Sequence, residues 1–213
     1  KSKKIINCVG IFIIKGCNFY DFSKDQIKNI YEIISSILGE LLEQDANGSK
    51  IITIKDKGKL LSSGGRYHQT SDGGSYHTDA PHWITPPDIL GMWCINPALE
   101  GGVSKFISGY TIHNEVLKRS GESLRLLYGD FLFDRREEVA KDLRVISKPI
   151  FSFKKNNLYC RFLKDYIISG HKIKGVHLSD VQITSLNLLG DISNDSKYSL
   201  NYNLKTNDMV FFD

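Results

Sequence analysis

Gly73-Gly74-Ser75-Tyr76-His77-Thr78-Asp79-Ala80-Pro81-His82-Trp83 is the stretch on which the reading of this chain turns. With Tyr76 to Asp79 extended, the two-residue alternation of a strand puts His77 and Asp79 on one face and Thr78 on the other. An imidazole and a carboxylate then point into the same space. That is two-thirds of the arrangement of two histidines and one carboxylate that holds Fe(II) on one side and leaves the opposite positions open to small molecules. A bare His-x-Asp triplet is more often polar surface than a metal site, so the neighbouring sequence has to carry the reading.

Downstream of the triplet come Pro86-Pro87-Asp88, Leu90, Cys94, Asn96-Pro97-Ala98 and Gly101-Gly102-Val103-Ser104. In order and spacing this run resembles the TauD/TfdA-like (clavaminate synthase-like) Fe(II)/2-oxoglutarate-dependent dioxygenases, where a His-Thr-Asp segment precedes a buried strand, a Pro-Ala turn and a Gly-Gly-x-Thr/Ser segment. A looser resemblance continues through Phe133-Asp134-Arg135-Arg136, Pro149-Ile150-Phe151, Tyr159-Cys160-Arg161 and Asn207-Asp208-Met209-Val210-Phe211-Phe212. The resemblance implies a mainly β fold with flanking helices, a double-stranded β-helix or jelly roll. It implies His77 and Asp79 as iron ligands and Ser104 as the hydroxyl that bonds a carboxylate of 2-oxoglutarate. It also implies that iron, 2-oxoglutarate and O2 together oxidise an unactivated C–H bond, by default hydroxylating it, with release of succinate and CO2. The family's third ligand, a histidine, follows the pattern of Asn207 to Asp213, and an arginine for 2-oxoglutarate comes after it. Both are expected beyond Asp213, so residues 1–213 are read as a single catalytic domain lacking its C-terminal segment.

Composition sets wider bounds. A chain of 213 residues with 41% hydrophobic and 11% aromatic residues can bury one substantial core. The formal net charge of +4 comes from 28 Lys+Arg against 24 Asp+Glu, with the lysines scattered. That pattern reads as solvated surface rather than a nucleic-acid footprint. Cys8, Cys17, Cys94 and Cys160 are widely spaced and contain no Cys-x-x-Cys pair, which suits reduced thiols and a cytoplasmic protein. No apolar run reaches the ~18 residues of a membrane span, and no oligomeric state is legible.

In chain order, Ile5 to Lys15 predicts a buried strand, and Ser23-Lys24-Asp25-Gln26 a capping box. An amphipathic helix follows, with its apolar stripe running from Ile27 to Leu42. Ile51 to Ile54 predicts a short strand. Arg66 and His68, just before the His-Thr-Asp triplet, are either substrate contacts on a pocket rim or plain loop surface. His82 is expected in the pocket wall rather than on the metal. Ile89 to Ile95 predicts a strand covered on both faces, and Val103 to Ile107 another. Tyr110 to Arg119 reads as a helix with His113 on its polar side, and Asp134 to Glu138 as a solvated charge run. Pro149 to Phe153 and Leu158 to Leu163 form a hairpin. Arg161, the cation inside the second of these, needs an anion if it points inward: a substrate carboxylate or a structural Asp or Glu. His171 and His177 fall in what the resemblance makes a surface loop. Ser179 to Gln182 is a second capping box, opening a helix to about Leu189, and Met209 to Phe212 is the last strand.

Two rivals belong to other classes. A jelly-roll protein that binds a small molecule without turnover shares the fold and needs no third ligand. A Zn(II) hydrolase needs another protein ligand and a general base, and no signature of one is present. The substrate is read as a carboxylated or amino-acid-like small molecule, with Arg66, Arg135, Arg136 or Arg161 as possible counter-ions.

Overall fold

The computed structural model describes residues 10–19, 21–45, 47–58, 74–136 and 139–213. In chain order these form β1 (Ile11–Ile14), α1 (Lys24–Ser36), β2 (Leu90–Trp93), β3 (Val103–Phe106), α2 (Gly109–Arg119), α3 (Gly121–Leu127) and β4 (Asp130–Asp134). After a 3-10 turn come β5 (Val145–Pro149), β6 (Phe151–Lys154), β7 (Asn157–Cys160), α4 (Lys164–Lys174), α5 (Asp180–Asn194), β8 (Leu200–Asn203) and β9 (Met209–Phe212). The strands are short, and helices flank them. Among the described residues they pair as one three-stranded sheet, in the order β1-β9-β2, and as the pairs β3-β8, β4-β5 and β6-β7. Contacts gather into two compact units, Lys1–Gly74 with Pro87–Val103 and Asn203–Asp213, and Ser75–Pro86 with Ser104–Tyr202.

The first unit is built on β9. Its sequence, Met-Val-Phe-Phe, is apolar on both faces and takes the central place, antiparallel to β1 and β2. Met209 and Phe211 are buried under Phe12, Phe19, Tyr31, Ile34, Leu38 and Trp93. Phe12 stacks on Phe211 with centroids 5.1 Å apart. Gly91 makes this closeness possible: a Cβ there would lie 2.6 Å from the Tyr31 hydroxyl and 2.8 Å from the Phe211 ring. The Ser23/Gln26 capping box forms as the sequence predicts. The helix ends at Ser36, however, short of Leu42. Ser36 turns its hydroxyl back onto the Ile33 carbonyl at 2.7 Å, and Leu38 and Gly39 bond to Ser35 in a closing turn. Residues 51–54, expected as a short strand, pair with no strand among the described residues.

The second unit carries the larger core. Val116, Leu127, Phe131, Phe133, Ile150, Phe151, Ile167, Leu189 and Ile192 are fully buried there. α2, α3 and α5 supply one side, while the β4–β5 and β6–β7 hairpins supply another. Lys155 and Asn156 turn the second hairpin with φ of 50° and 66°, the left-handed pair that a two-residue hairpin loop needs. The Ser179/Gln182 capping box opens α5 as expected, but the helix runs on to Asn194.

Three expectations fail in this unit. α4 replaces the surface loop expected around His171. It presents Ile167, Gly170 and His171 to β4 and stops at Gly175, in the left-handed conformation with φ of 65°. His113 is half-buried rather than plain surface: it sits edge-on to Tyr128 and Phe151, and its Nε2 lies 2.9 Å from the Tyr128 hydroxyl. Asp134, expected in a solvated run, is completely buried. Its carboxylate accepts from the Arg136 amide at 2.7 Å, the Ser169 hydroxyl at 2.7 Å and Arg144 Nε at 3.2 Å. Burial alone would raise the Asp134 pKa, but these donors and the Arg144 charge outweigh it and hold the carboxyl below its usual value.

Candidate metal centre

The His-Thr-Asp triplet does not join a regular sheet. Its middle residue nevertheless pairs like a strand residue with the chain just after β7. The Thr78 amide donates to the Phe162 carbonyl at 2.8 Å, and the Phe162 amide donates to Thr78 Oγ1 at 2.9 Å. Pinning Thr78 on one side leaves His77 and Asp79 together on the other, as alternation requires. His77 Nε2 stands 3.6 Å from Asp79 Oδ1.

His77 Nδ1 lies 2.7 Å from the Ser75 carbonyl oxygen. A carbonyl can only accept, so Nδ1 carries a proton, and Nε2 is the ring nitrogen on the Asp79 side, which donates to the carboxylate when the ring is protonated and offers its lone pair when it is neutral. Burial pulls the His77 pKa down. The Asp79 side chain, the Ser75 carbonyl and the Asp79 charge together more than offset this, so the net shift is upward. The negative charge of Asp79 beside an imidazole that can release its Nε2 proton makes a place that attracts a cation. The side chains keep 26% and 45% of their exposure, so the pair opens to solvent.

The residues fit a metal. One nitrogen and one oxygen donor at this separation can both reach a single ion at metal–ligand distances of about 2.0–2.2 Å, and the mixture of imidazole and carboxylate suits Fe(II). Among the described residues no group of three or more His, Cys, Asp or Glu side chains could hold an ion. Of the donors a metal would need, the pair could supply two.

Beyond Asp79 the chain turns sharply. Ala80 has a φ of 47°, in the left-handed region that costs a residue bearing a Cβ, and the Trp83 amide closes the turn onto the Ala80 carbonyl at 3.0 Å. Arg161 faces this turn. Its Nη1 donates to the carbonyls of Pro81, at 3.1 Å, and Trp83, and its Nη2 donates to that of Ile84 at 3.0 Å. The anion expected for Arg161 is thus replaced by three backbone carbonyls. Partial burial lowers its pKa from the usual value, though a guanidinium stays charged.

His82 lies inside the turn, buried, with its ring edge-on to Tyr166 at 5.2 Å and to Trp83 at 6.4 Å. Arg136 covers the Tyr166 ring at 5.2 Å. Ser104 is half-buried on β3. Arg66 and His68 lie outside the described residues. His171 is a structural residue: Nε2 accepts from the Leu132 amide at 3.2 Å, and Nδ1 donates to the Val176 carbonyl at 3.0 Å. Burial pushes the Cys160 thiol up to about 12, which keeps it an unreactive neutral group. Sequence reasoning missed the anchoring role of Thr78 and the clamp made by Arg161. The only signals for either were a hydroxyl between His77 and Asp79 and a lone cation in an apolar stretch.

The family model described as Taurine catabolism dioxygenase TauD, TfdA family matches residues 2–213. A curated relative, FR-33289 synthase of Streptomyces rubellomurinus, is 26% identical over 223 residues that cover 100% of this chain and 64% of that protein. The chain thus spans less than two-thirds of that relative's length. Among solved structures, the non-heme iron oxygenase OrfP in complex with Fe and alpha-ketoglutaric acid superposes with a TM-score of 0.63 at 13% identity, covering 100% of this chain and 69% of that one. OrfP with Fe, succinate and (3S)-hydroxy-L-Arg gives 0.66 at 12% identity, with 100% and 68% covered. PvcB from Pseudomonas aeruginosa gives 0.61 at 12% identity, with 96% and 66% covered. At these identities the structural likenesses speak for the fold.

Proposed function

Because the chain belongs to the taurine catabolism dioxygenase TauD, TfdA family, we propose that it is an Fe(II)- and 2-oxoglutarate-dependent oxygenase built on a jelly roll, with residues 1–213 part of one catalytic domain. The observation that carries the proposal is the His77–Asp79 pair, 3.6 Å apart, with Nδ1 of His77 committed to the Ser75 carbonyl. The remaining metal ligand comes from outside the described residues. With iron, 2-oxoglutarate and O2 bound, the chemistry supplied is oxidation of an unactivated C–H bond, releasing succinate and CO2.

The chain's own part is positional. His77 gives up any proton on Nε2 to serve as a ligand, while Ser75 keeps the ring from turning. Asp79 adds a negative charge that favours a hard divalent ion. Thr78, bonded both ways to Phe162, holds the two ligands on one side of the backbone. Ser104 is assigned to a carboxylate of 2-oxoglutarate. The substrate is an amino-acid-like or otherwise carboxylated small molecule, a reading supported by the hydroxy-arginine in one OrfP complex. Arg161 donates to three backbone carbonyls, and Arg66 and His68 stay assigned as contacts for that substrate. Cys17, Cys94 and Cys160 are free thiols, which agrees with a cytoplasmic enzyme.

The test supplies the full-length protein with Fe(II), 2-oxoglutarate and O2, screens amino acids and their derivatives, and follows succinate together with product mass. Succinate released in step with a product one oxygen heavier, or two hydrogens lighter, supports the proposal. The second reading, a binding protein without turnover, draws on the lack of a three-ligand group among the described residues. It prevails if a small molecule binds while no succinate forms under any condition.

A further inference from the structure

Arg161 belongs to a line of hydrogen bonds that runs from the core of its unit to the metal pair. Ile150, fully buried, donates its amide to the carbonyl of the equally buried Leu127 at 3.1 Å. The Ile150 carbonyl accepts the Arg161 amide at 2.8 Å. The Arg161 side chain then takes the carbonyls of Pro81, Trp83 and Ile84. The next residue, Phe162, is the one paired with Thr78 in both directions. Arg161 and Phe162 therefore grip the chain on both sides of Asp79: Thr78 immediately before it, and the turn immediately after Ala80.

The left-handed φ at Ala80 shows that this path is imposed rather than intrinsic, because a residue with a Cβ does not adopt it without compensation. Three carbonyls converging on one point repel one another unless a cation with several donors sits among them. A guanidinium offers five N–H groups in a rigid planar fork, whereas a lysine ammonium offers three from a single atom.

We propose that Arg161 is a positioning residue for the metal site, fixing the turn at 80–84 and through it the place where Asp79 presents its carboxylate. This rests on the proposed function, because it takes Asp79 as an iron ligand. It differs from a general stabilising role in what it predicts: the loss of Arg161 changes how iron is held in a protein that remains folded.

The experiment compares full-length wild type, Arg161→Met and Arg161→Lys. Anaerobic Fe(II) titration in the presence of 2-oxoglutarate gives affinity and the visible charge-transfer band. Amide exchange read by mass spectrometry gives the mobility of segment 76–86. Groups that hold metal ligands in place typically contribute 10- to 100-fold to metal affinity, so Arg161→Met should weaken Fe(II) binding by about that factor. It should also shift or diminish the band and speed exchange in 76–86, while the α2, α3 and α5 peptides exchange as in wild type. If Arg161→Met does not fold, Arg161→Lys takes its place under the same criteria, with a smaller loss. A folded variant with wild-type iron affinity and band overturns the proposal, whatever its melting temperature, and so does one whose 76–86 amides stay protected. Failure of the wild type itself to bind Fe(II) is a separate result: it brings down the proposed function, and this inference with it.

Discussion

Replacing Asp134 by Asn tests how much of the second unit hangs on a single buried carboxylate. The side chain has no exposure and collects three donors, from Arg136, Arg144 and Ser169. Asparagine keeps the shape, removes the charge and turns one acceptor oxygen into a donor that faces another donor. Breaking a buried charge pair by removing one partner costs about 3–5 kcal/mol. The isosteric change keeps one acceptor, so the lower end, about 3 kcal/mol at pH 7, is expected. For a chain of this size that is a fall of roughly 6–12 °C in melting temperature.

The pH dependence has a definite sign. Asp134 is held below its ordinary value in the folded protein, so its contribution is complete above the unfolded-state value near 3.8 and is lost as pH falls through the lower folded value. The gap between wild type and Asp134→Asn should therefore be constant from pH 7 to about 5 and close as the medium becomes more acid than pH 4. Urea unfolding at a series of pH values measures it. A penalty under about 0.5 kcal/mol at pH 7, the size of an ordinary surface change, would refute the reasoning. So would a penalty that persists unchanged to pH 3.

Gly170→Ala should cost about 3 kcal/mol or more, because its Cβ would lie 2.7 Å from the Leu132 carbonyl carbon and 2.8 Å from the Asp134 amide, both backbone atoms; thermal unfolding decides, and a neutral result means that α4 does not sit on β4 this closely. His171→Ala should lower stability by about 1–3 kcal/mol through two lost hydrogen bonds, yet leave iron affinity unchanged; a loss of iron binding in folded protein would make His171 a ligand. If Asp79 is the carboxylate ligand, as proposed, turnover in the presence of chloride or bromide should give an oxidised product, and a halogenated major product by mass spectrometry contradicts that assignment.

What the sequence disclosed was local or strongly patterned. Ser23 with Gln26 and Ser179 with Gln182 declare themselves because each capping box is closed within four residues. Met209 to Phe212 reads as a buried strand because both of its faces are apolar. The side-by-side placement of His77 and Asp79 followed from alternation alone, and it holds even though the pairing partner is one loop residue, Phe162, rather than a strand. The features that were hidden depend on distant partners. Asp134 is buried because of residues 10 and 35 positions away. Arg161 meets carbonyls 77 to 80 positions back, and nothing near it in the chain distinguishes a carbonyl clamp from a carboxylate site. α4 was missed because its buried face is carried partly by Gly170 and His171, so the apolar rhythm of a helix is weak there.

The central claim is that His77 and Asp79 hold Fe(II). The most direct measurement is the visible spectrum of the full-length protein under anaerobic conditions with Fe(II) and 2-oxoglutarate, compared with that of His77→Ala and Asp79→Ala. Wild type should show the weak metal-to-ligand charge-transfer band of chelated 2-oxoglutarate, and each variant, folded by circular dichroism, should lose it or shift it. A band of the same position and strength in His77→Ala would contradict the account.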